Sequence, residues 1–540
     1  MAAEAAPLRR RPFPAAAGDH LRDYWAGAER LRELYPHFPL ARPVRTGEAT
    51  SAGPVDGETA RRIAGLNEAA GGPPARGLGH LGGAPTRFVL AGQQPGLLLG
   101  PPLAAYKMMS AAALARSLDG EDAPVVPLFW IASHDSDLPE VDGVVVPGPE
   151  GDPRTIRYPF RGGHLRRRVG TLTVAPEEWR SFLAGLRDAL PPTGFRDECI
   201  ALAESLTGGE ETTLTLLFAR LARRFFPKTD LLFFDGGDAE IDPRGRAVLA
   251  AAARRPGAAS EALRAGAARL RERGIEPPLP AEPGRALFFL LEGETRVPVL
   301  FDEDGIGPES GERMSPGELA GRIEEGTVRA TPNAALRPVV QDAVFPNAAT
   351  VVGLSELVYH GELGPLYDLM GVRRPLLVPR AGYAVVPART EEKLRDLGLE
   401  WEDLFAGEEP SGRGGAAGTG EGRFLTGAKE ILAAYLEETE RRSSGAVPPD
   451  DPARSRFLKE AERTVRRVRK LADRAGENRR NRIHRARQEI LPGGKPQEAA
   501  ISFFSLAARF GLRIAEDLAR MTGPEEPVPH LVTVGGRKDP

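Results

Sequence analysis

Between positions 87 and 132 an apolar run, FVLA, leads into a glycine-rich loop. A helix-patterned stretch, PLAAYKMMSAAALARSL, follows, and then an unbroken apolar run, VVPLFWIA. A strand with one wet face alternates apolar and polar residues. A continuous run of this length, bounded by turn residues, is what a strand buried on both faces requires. Two such strands joined by a helix close as a right-handed parallel crossover. The expected fold class is therefore α/β with a parallel-sheet core. A second unit of the same kind reads AATVVG, SELVYHGELGPLYDLMG, PLLVPR over residues 349–380. Between the two lie TDLLFFDGGDAEI, whose strand ends on Asp235, and ALFFLLEGETRVPVLFDEDG, which reads as a hairpin or two short strands.

The remaining segments read as additions to this core. Residues 158–228 carry amphipathic helix patterns (EEWRSFLAGLRDAL, LTLLFARLARRFF) with no evident site chemistry, the pattern of a helical cover. Residues 407–423 are glycine-rich and low in apolar content, a loop composition. Helical patterns resume over 429–441 and 456–491. In the latter, Ala461, Val465, Val468, Ala472 and Ala475 follow heptad spacing until ENRRN interrupts it. Two such arms joined by SSGAVPPDD predict an antiparallel helical hairpin. Its arginines, among them Arg463, Arg466, Arg467, Arg469, Arg474 and Arg480, fit either a nucleic-acid clamp or a solvated coiled-coil face. A net charge of -3 and the lack of interleaved aromatics favour the second.

Composition then removes classes of function. A length of 540 residues has room for about three to four domains of the usual size. The single cysteine, Cys199, leaves no intrachain disulfide and no cysteine-rich metal cluster, so no metal is expected and a reducing, cytoplasmic setting fits. No apolar run approaches the roughly 18–20 residues that span a bilayer, so neither membrane nor nucleic acid is an expected partner.

In a parallel sheet, ligands gather beyond the carboxyl ends of the strands. The first loop there, residues 92–101, holds Gly92, Gly96 and Gly100, which permit close backbone approach, before prolines that suit a helix start. Gln93 and Gln94 offer both donors and acceptors, and Lys107 a positive charge beside a phosphate or carboxylate. Taken alone, the loop is equally well a tight turn. The second loop, SHDSDL, places His134, Asp135 and Asp137 at a strand end. They are suited to a metal, to general-base work or to holding an ammonium group, and equally to an ordinary capped turn. Asp235 has the same ambiguity. The third loop, GLSE, carries Ser355 and Glu356. His360 and His484 lie in helical patterns and read as structural. Gly493, Gly494 and Lys495, leading to Gln497, form either a nest for a nucleotide phosphate or a glycine cap ending the long arm.

Four motifs in series, AGQQPGLLLGPPLAAYK, VPLFWIASHDSD, LRPVVQDAVFPNAATVVGLSELVYHGELGPLYDLMGVRRPLLVPR and LPGGKPQEAAISFFSLAARFG, resemble the cysteine ligase family of bacillithiol biosynthesis (BshC). The resemblance extends from about residue 85 to 515. It implies a Rossmann-like core with two helical insertions of connecting-peptide type and a coiled coil that contributes to a homodimer. It also implies an enzyme that forms a C–N (amide) bond between the carboxyl group of cysteine and the amine of glucosaminyl-malate. ATP or ADP is associated with the family. The layout expected on this basis is a core over 1–157 and 229–388, the latter with a small insertion near 285–335. A helical insertion over 158–228, a coiled-coil arm over 389–491 and a C-terminal helix returning to the core over 492–540 complete it.

The matching motifs nominate Lys107, His134, Asp135 and Asp137 as catalytic. Gln93, Gln94, Gly96, Gly100, Tyr106, Asp235, Gln341, Asp342, Ser355, Glu356 and Tyr359 are the expected substrate contacts, and Gly493, Gly494, Lys495 and Gln497 the nucleotide contacts. Against the family pattern, Tyr106 stands where a histidine is usual, Ser136 interrupts an acidic-histidine run, and Ala499 replaces an arginine. A ligase of the same core acting on another amine, and a non-catalytic dimeric scaffold, are the alternatives.

Overall fold

The computed structural model describes residues 8–13, 19–35, 52–119 apart from 82 and 84, 124–161 apart from 149, 166–405, 452–524 and 528–535, with scattered positions between 427 and 442. At its centre is a five-stranded sheet of β1 (Arg87–Gln93), β2 (Val125–Ile131), β3 (Leu232–Asp235), β4 (Asn347–Val352) and β5 (Leu376–Pro379). All four pairings are parallel and the spatial order is β5-β4-β1-β2-β3. The chain builds outward from β1 through β2 to β3, then returns to β1's other side for β4 and β5. The order thus reverses between β1 and β4, and the loops leaving these strands diverge to opposite faces and open a crevice.

Both faces of the sheet are covered, which explains the unbroken apolar runs. Val89, Ala91, Phe129 and Ile131 pack into one core with α1 (Pro102–Leu118) and helices Pro176–Ala189 and Leu214–Phe225. Their neighbours Phe88, Leu90, Leu128 and Trp130 alternate to the other face. There they meet helices Pro243–Arg254 and Pro256–Arg271 and α2 (Arg337–Val344). From β4 the chain enters α3 (Leu354–Glu362) and a further turn of helix before β5.

Two smaller sheets flank this core, and the first of them lines the crevice. Strands Arg285–Glu292 and Thr295–Asp302 form the expected hairpin, but they belong to a separate four-stranded antiparallel sheet and not to the parallel one. Strand Tyr383–Pro387, soon after β5, pairs with His530–Val534, which pairs in turn with Leu8–Pro12.

The long arm is α4 (Pro452–Ile490), which continues through ENRRN without a break. Polar residues at that point remove the apolar seam but not the helix, because arginine, glutamate and asparagine all tolerate helical dihedrals. The glycine-rich stretch 407–423 lies outside the described residues, as do most of 429–441 and the side chains of Ala461, Val465 and Ala472, so the pairing of the arms belongs to no described contact. The C-terminal segment differs from the single helix expected. It forms Gln497–Ala500, Phe503–Phe510 and Ile514–Met521, followed by a strand. Gly511, at φ 91°, takes a left-handed conformation that ends the second of these. No helix among the described residues is long and apolar enough to cross a membrane.

Candidate active site

The crevice between β1 and β4 is a cavity of about 850 Å³. Gly92, Gln93 and Gln94 line it from the end of β1, His134 to Asp137 from the end of β2, and Leu354, Ser355, Glu356 and Tyr359 from α3. The insertion supplies Phe289, Arg296 and Asn333, α2 supplies Arg337, β5 is followed by Arg380, and the C-terminal segment adds Glu498 and Ala499.

Its floor is an ion pair. The Lys107 side chain, 2% exposed, places Nζ 2.5 Å from Glu356 Oε2. The same ammonium donates to Gly92 O at 2.7 Å and to Gln93 Oε1 at 2.8 Å. All three of its protons are committed, so it braces β1 against α3 and has none left for a ligand phosphate. Glu356, three residues into α3, accepts the Gly353 N–H at 2.7 Å, one half of a capping box. Its other oxygen takes the Tyr359 hydroxyl at 3.3 Å, and Arg337 lies 4.0 Å away. Arg337 also donates to the Tyr359 hydroxyl at 2.6 Å. Burial alone would raise the Glu356 carboxyl. The Lys107 and Arg337 charges and the Gly353 N–H outweigh it and hold the carboxyl at about 2.

That depressed value has a sign. Stability contributed by ionised Glu356 is fully present above the unfolded carboxylate value of about 4.3 and is lost as pH falls through about 2. In wild type, the N–H groups of β1 and α3 are expected to lose hydrogen-exchange protection over this acid window. Glu356→Gln should flatten the change, and unaltered acid behaviour in that variant would refute the assignment.

At the end of β2, burial and the nearby Arg296 charge keep the His134 imidazole neutral, at about 3. Its Nδ1 has no hydrogen-bond partner in the described structure. Asp135 accepts the Ser136 N–H at 2.7 Å and Arg296 Nη1 at 3.1 Å on one oxygen, and Gln94 Nε2 at 3.3 Å on the other. Burial raises the Asp135 carboxyl, but Arg296 and its hydrogen bonds bring it below the ordinary range. Arg296 sits over the Phe289 ring at 4.0 Å and donates to Pro332 O at 2.8 Å, so the insertion is pinned directly to the core loop. Asp137 is exposed at the cavity, and its carboxylate makes no hydrogen bond or ion pair among the described residues. Arg380 holds Glu498 through two bonds of 2.8 and 2.7 Å, a half-buried fork that fastens the C-terminal segment as the far wall.

Several nominated residues point elsewhere. Successive helix positions are turned by about 100°, so Tyr106 faces away from Lys107. Its ring packs edge-on to Tyr383 and Phe503, and its hydroxyl donates to Tyr383 O at 3.1 Å. Gly96 and Gly100 serve each other: a Cβ on Gly96 would stand 2.8 Å from Gly100 Cα. The loop between them holds Leu98 and Leu99 at φ 50° and 71°, a left-handed strain of roughly 1–3 kcal/mol each, offset by their complete burial. Asp235 accepts the Ser133 hydroxyl and the Gly237 N–H and ties β3 to β2 behind the cavity. Gln341 lies beneath Gly92, 3.5 Å from Arg337, without lining the cavity. Asp342 is turned to Tyr367 and Asn347, where burial pushes it up to about 7.

Gly493 and Gly494 close a short turn at the foot of α4, with the Gly493 N–H on Gln488. Gln497 is spent on both backbone groups of Val385. These residues and Lys495 do not line the main cavity; Pro492 and Gln497 border a second one of about 620 Å³. Among the described residues no group of three or more His, Cys, Asp and Glu is placed to hold a metal ion. Arg337, Arg380 and Glu498 stand within the motifs that carry the resemblance, which is the signal that could find them, whereas nothing in the sequence distinguishes Arg296 from the other arginines.

A reversing parallel sheet with a charged cavity at its switch point defines a Rossmann-like ligand-binding protein. The family description "Bacillithiol biosynthesis BshC, N-terminal Rossmann-like domain" matches residues 72–381. Proteins named "Putative cysteine ligase BshC" align along much of the chain. The Salinibacter ruber protein is 28% identical over 94% of this chain and 95% of its own length. The Thermus thermophilus protein is 31% identical over 80% and 85%, and that of Solibacter usitatus 32% identical over 63% and 62%. The chain belongs to the BshC family.

Proposed function

We propose that this chain is a ligase of bacillithiol biosynthesis that joins the carboxyl group of L-cysteine to the amine of glucosaminyl-malate. The observation that carries the reading, beyond family membership, is the mixed charge of the cavity. Arg296, Arg337 and Arg380 line a site that also presents the unpaired Asp137 carboxylate. An amine bearing a dicarboxylate needs both signs, and cysteine brings an ammonium and a carboxylate of its own.

Joining a free carboxylate to an amine requires the carboxylate to be activated, most simply as an acyl-adenylate formed with ATP as co-substrate and with release of pyrophosphate. Attack by the amine then forms the C–N bond and breaks the C–O bond to AMP, and the amine proton passes to Asp137. The arginines offset the negative charge that gathers at the carbonyl oxygen and phosphate. Lys107, with its protons committed, supports the floor instead. Incubating the protein with cysteine, glucosaminyl-malate and ATP is expected to give the amide and pyrophosphate in equal amounts. Product without nucleotide turnover would remove the adenylate route, and no product would remove the ligase reading.

A homodimer through the arm belongs to the same proposal. Exposed Ile431 and Leu471 support it, since apolar side chains on helical segments are stabilised by a partner.

A further inference from the structure

The polar groups on the cavity floor are joined in one direction. Lys107 Nζ holds the Gln93 amide with its oxygen toward the ammonium. The Gln93 nitrogen is thereby directed away, and it donates to Gln94 Oε1 at 2.7 Å. That contact orients the second amide in turn. Gln94 Nε2 spends its protons on Asp135 Oδ2 at 3.3 Å and Glu140 Oε2 at 2.7 Å. Turning Gln93 over would set an amide nitrogen against an ammonium, and turning Gln94 over would set an amide oxygen against two carboxylates. Only one orientation of each satisfies the chain. At its far end Asp135 is gripped from the opposite side by Arg296.

We propose that Gln93 and Gln94 are positioning residues, a relay of oriented amides that fixes the Asp135 carboxylate relative to the buried Lys107, and that substrate meets Asp135 and Asp137 instead of the glutamines. The Gln94 donors are already committed, and the Gln93 oxygen is held by Lys107. Gln94 therefore has no donor left for a substrate hydroxyl, and Gln93 keeps a single N–H beyond its bond to Gln94. Hydrogen bonds in series polarise one another, so each link strengthens the next. The relay itself is independent of which amine is bound; its catalytic consequence rests on the ligase reading above.

The test uses Gln93→Met, Gln94→Met and the double variant of the full chain. Each single change is expected to lower kcat by up to about 10²-fold through misplacement of Asp135, with KM for the amine little altered. The double variant should be no worse than the poorer single, because either change breaks the same chain. An effect confined to KM, or a double variant equal to the product of the singles, would overturn the relay. Crystal structures provide a readout free of catalysis. In Gln93→Met the Gln94 amide is expected to leave Asp135 and the carboxylate to shift, and an unmoved Gln94–Asp135 contact would also overturn it. If wild type makes no product, the ligase reading fails while the crystallographic comparison still decides the relay.

Discussion

Lys107→Met is expected to cost about 3–5 kcal/mol, the range found when one partner of a buried ion pair is removed. The loss has two sources. Glu356 keeps the Gly353 N–H and the more distant Arg337, but its closest counter-charge goes. Gly92 O and Gln93 Oε1 lose the donor that satisfied them, at no more than about 1–3 kcal/mol each since both residues are half-buried. Hydrogen exchange at the β1 and β4 amides should register the change locally, because Lys107 joins the end of β1 to α3, the helix that follows β4. Glu356→Gln in the same background should recover part of the loss by removing the stranded charge. A cost below about 1 kcal/mol would show that the pair contributes little beyond filling space.

At Asp137 the expectation concerns rate and not stability. Asp137→Asn removes the carboxylate at the cavity that no described group neutralises, so the fold should be unaffected and kcat should fall by about 10²–10⁴-fold. Asp135→Asn serves as the contrast. It breaks the contact with Arg296 that pins the insertion, so it should lower thermal stability as well as rate. Steady-state kinetics beside a thermal melt separates the two roles. Full activity in Asp137→Asn would return the proton-accepting role to another group.

The core was legible because its signals are local. β1, α1 and β2 each bury their residues against immediate neighbours, so a continuous apolar run or a helical pattern carries the whole message. That Gln93, Asp135 and Glu356 line the cavity has a related reason: each lies at, or within four residues of, the carboxyl end of a parallel strand, where ligand loops must lie. Tyr106 shows the limit. It adjoins Lys107 in sequence, yet the helix turns the tyrosine into the core and the lysine onto the cavity floor. The arginines show another. Arg296 comes from an antiparallel insertion and Arg380 meets Glu498 118 positions later, so their convergence exists only once separate sheets have docked. Arg380 at least stands in a matching motif at a strand end, but among 72 lysines and arginines nothing local marks Arg296.

The pairing of Leu8–Pro12 with His530–Val534 sets a timetable for the molecule. Arg10 and His530 touch across 520 positions, so on the ribosome Leu8–Pro12 waits for His530–Val534. At about 5–20 residues per second that interval is roughly half a minute to two minutes. Glu498 is made within the same stretch, and until it reaches Arg380 the cavity lacks the wall that this pair fastens. The parallel core can form early around β1 and β2, but a nascent chain acquires the complete pocket only after residue 498 has been made.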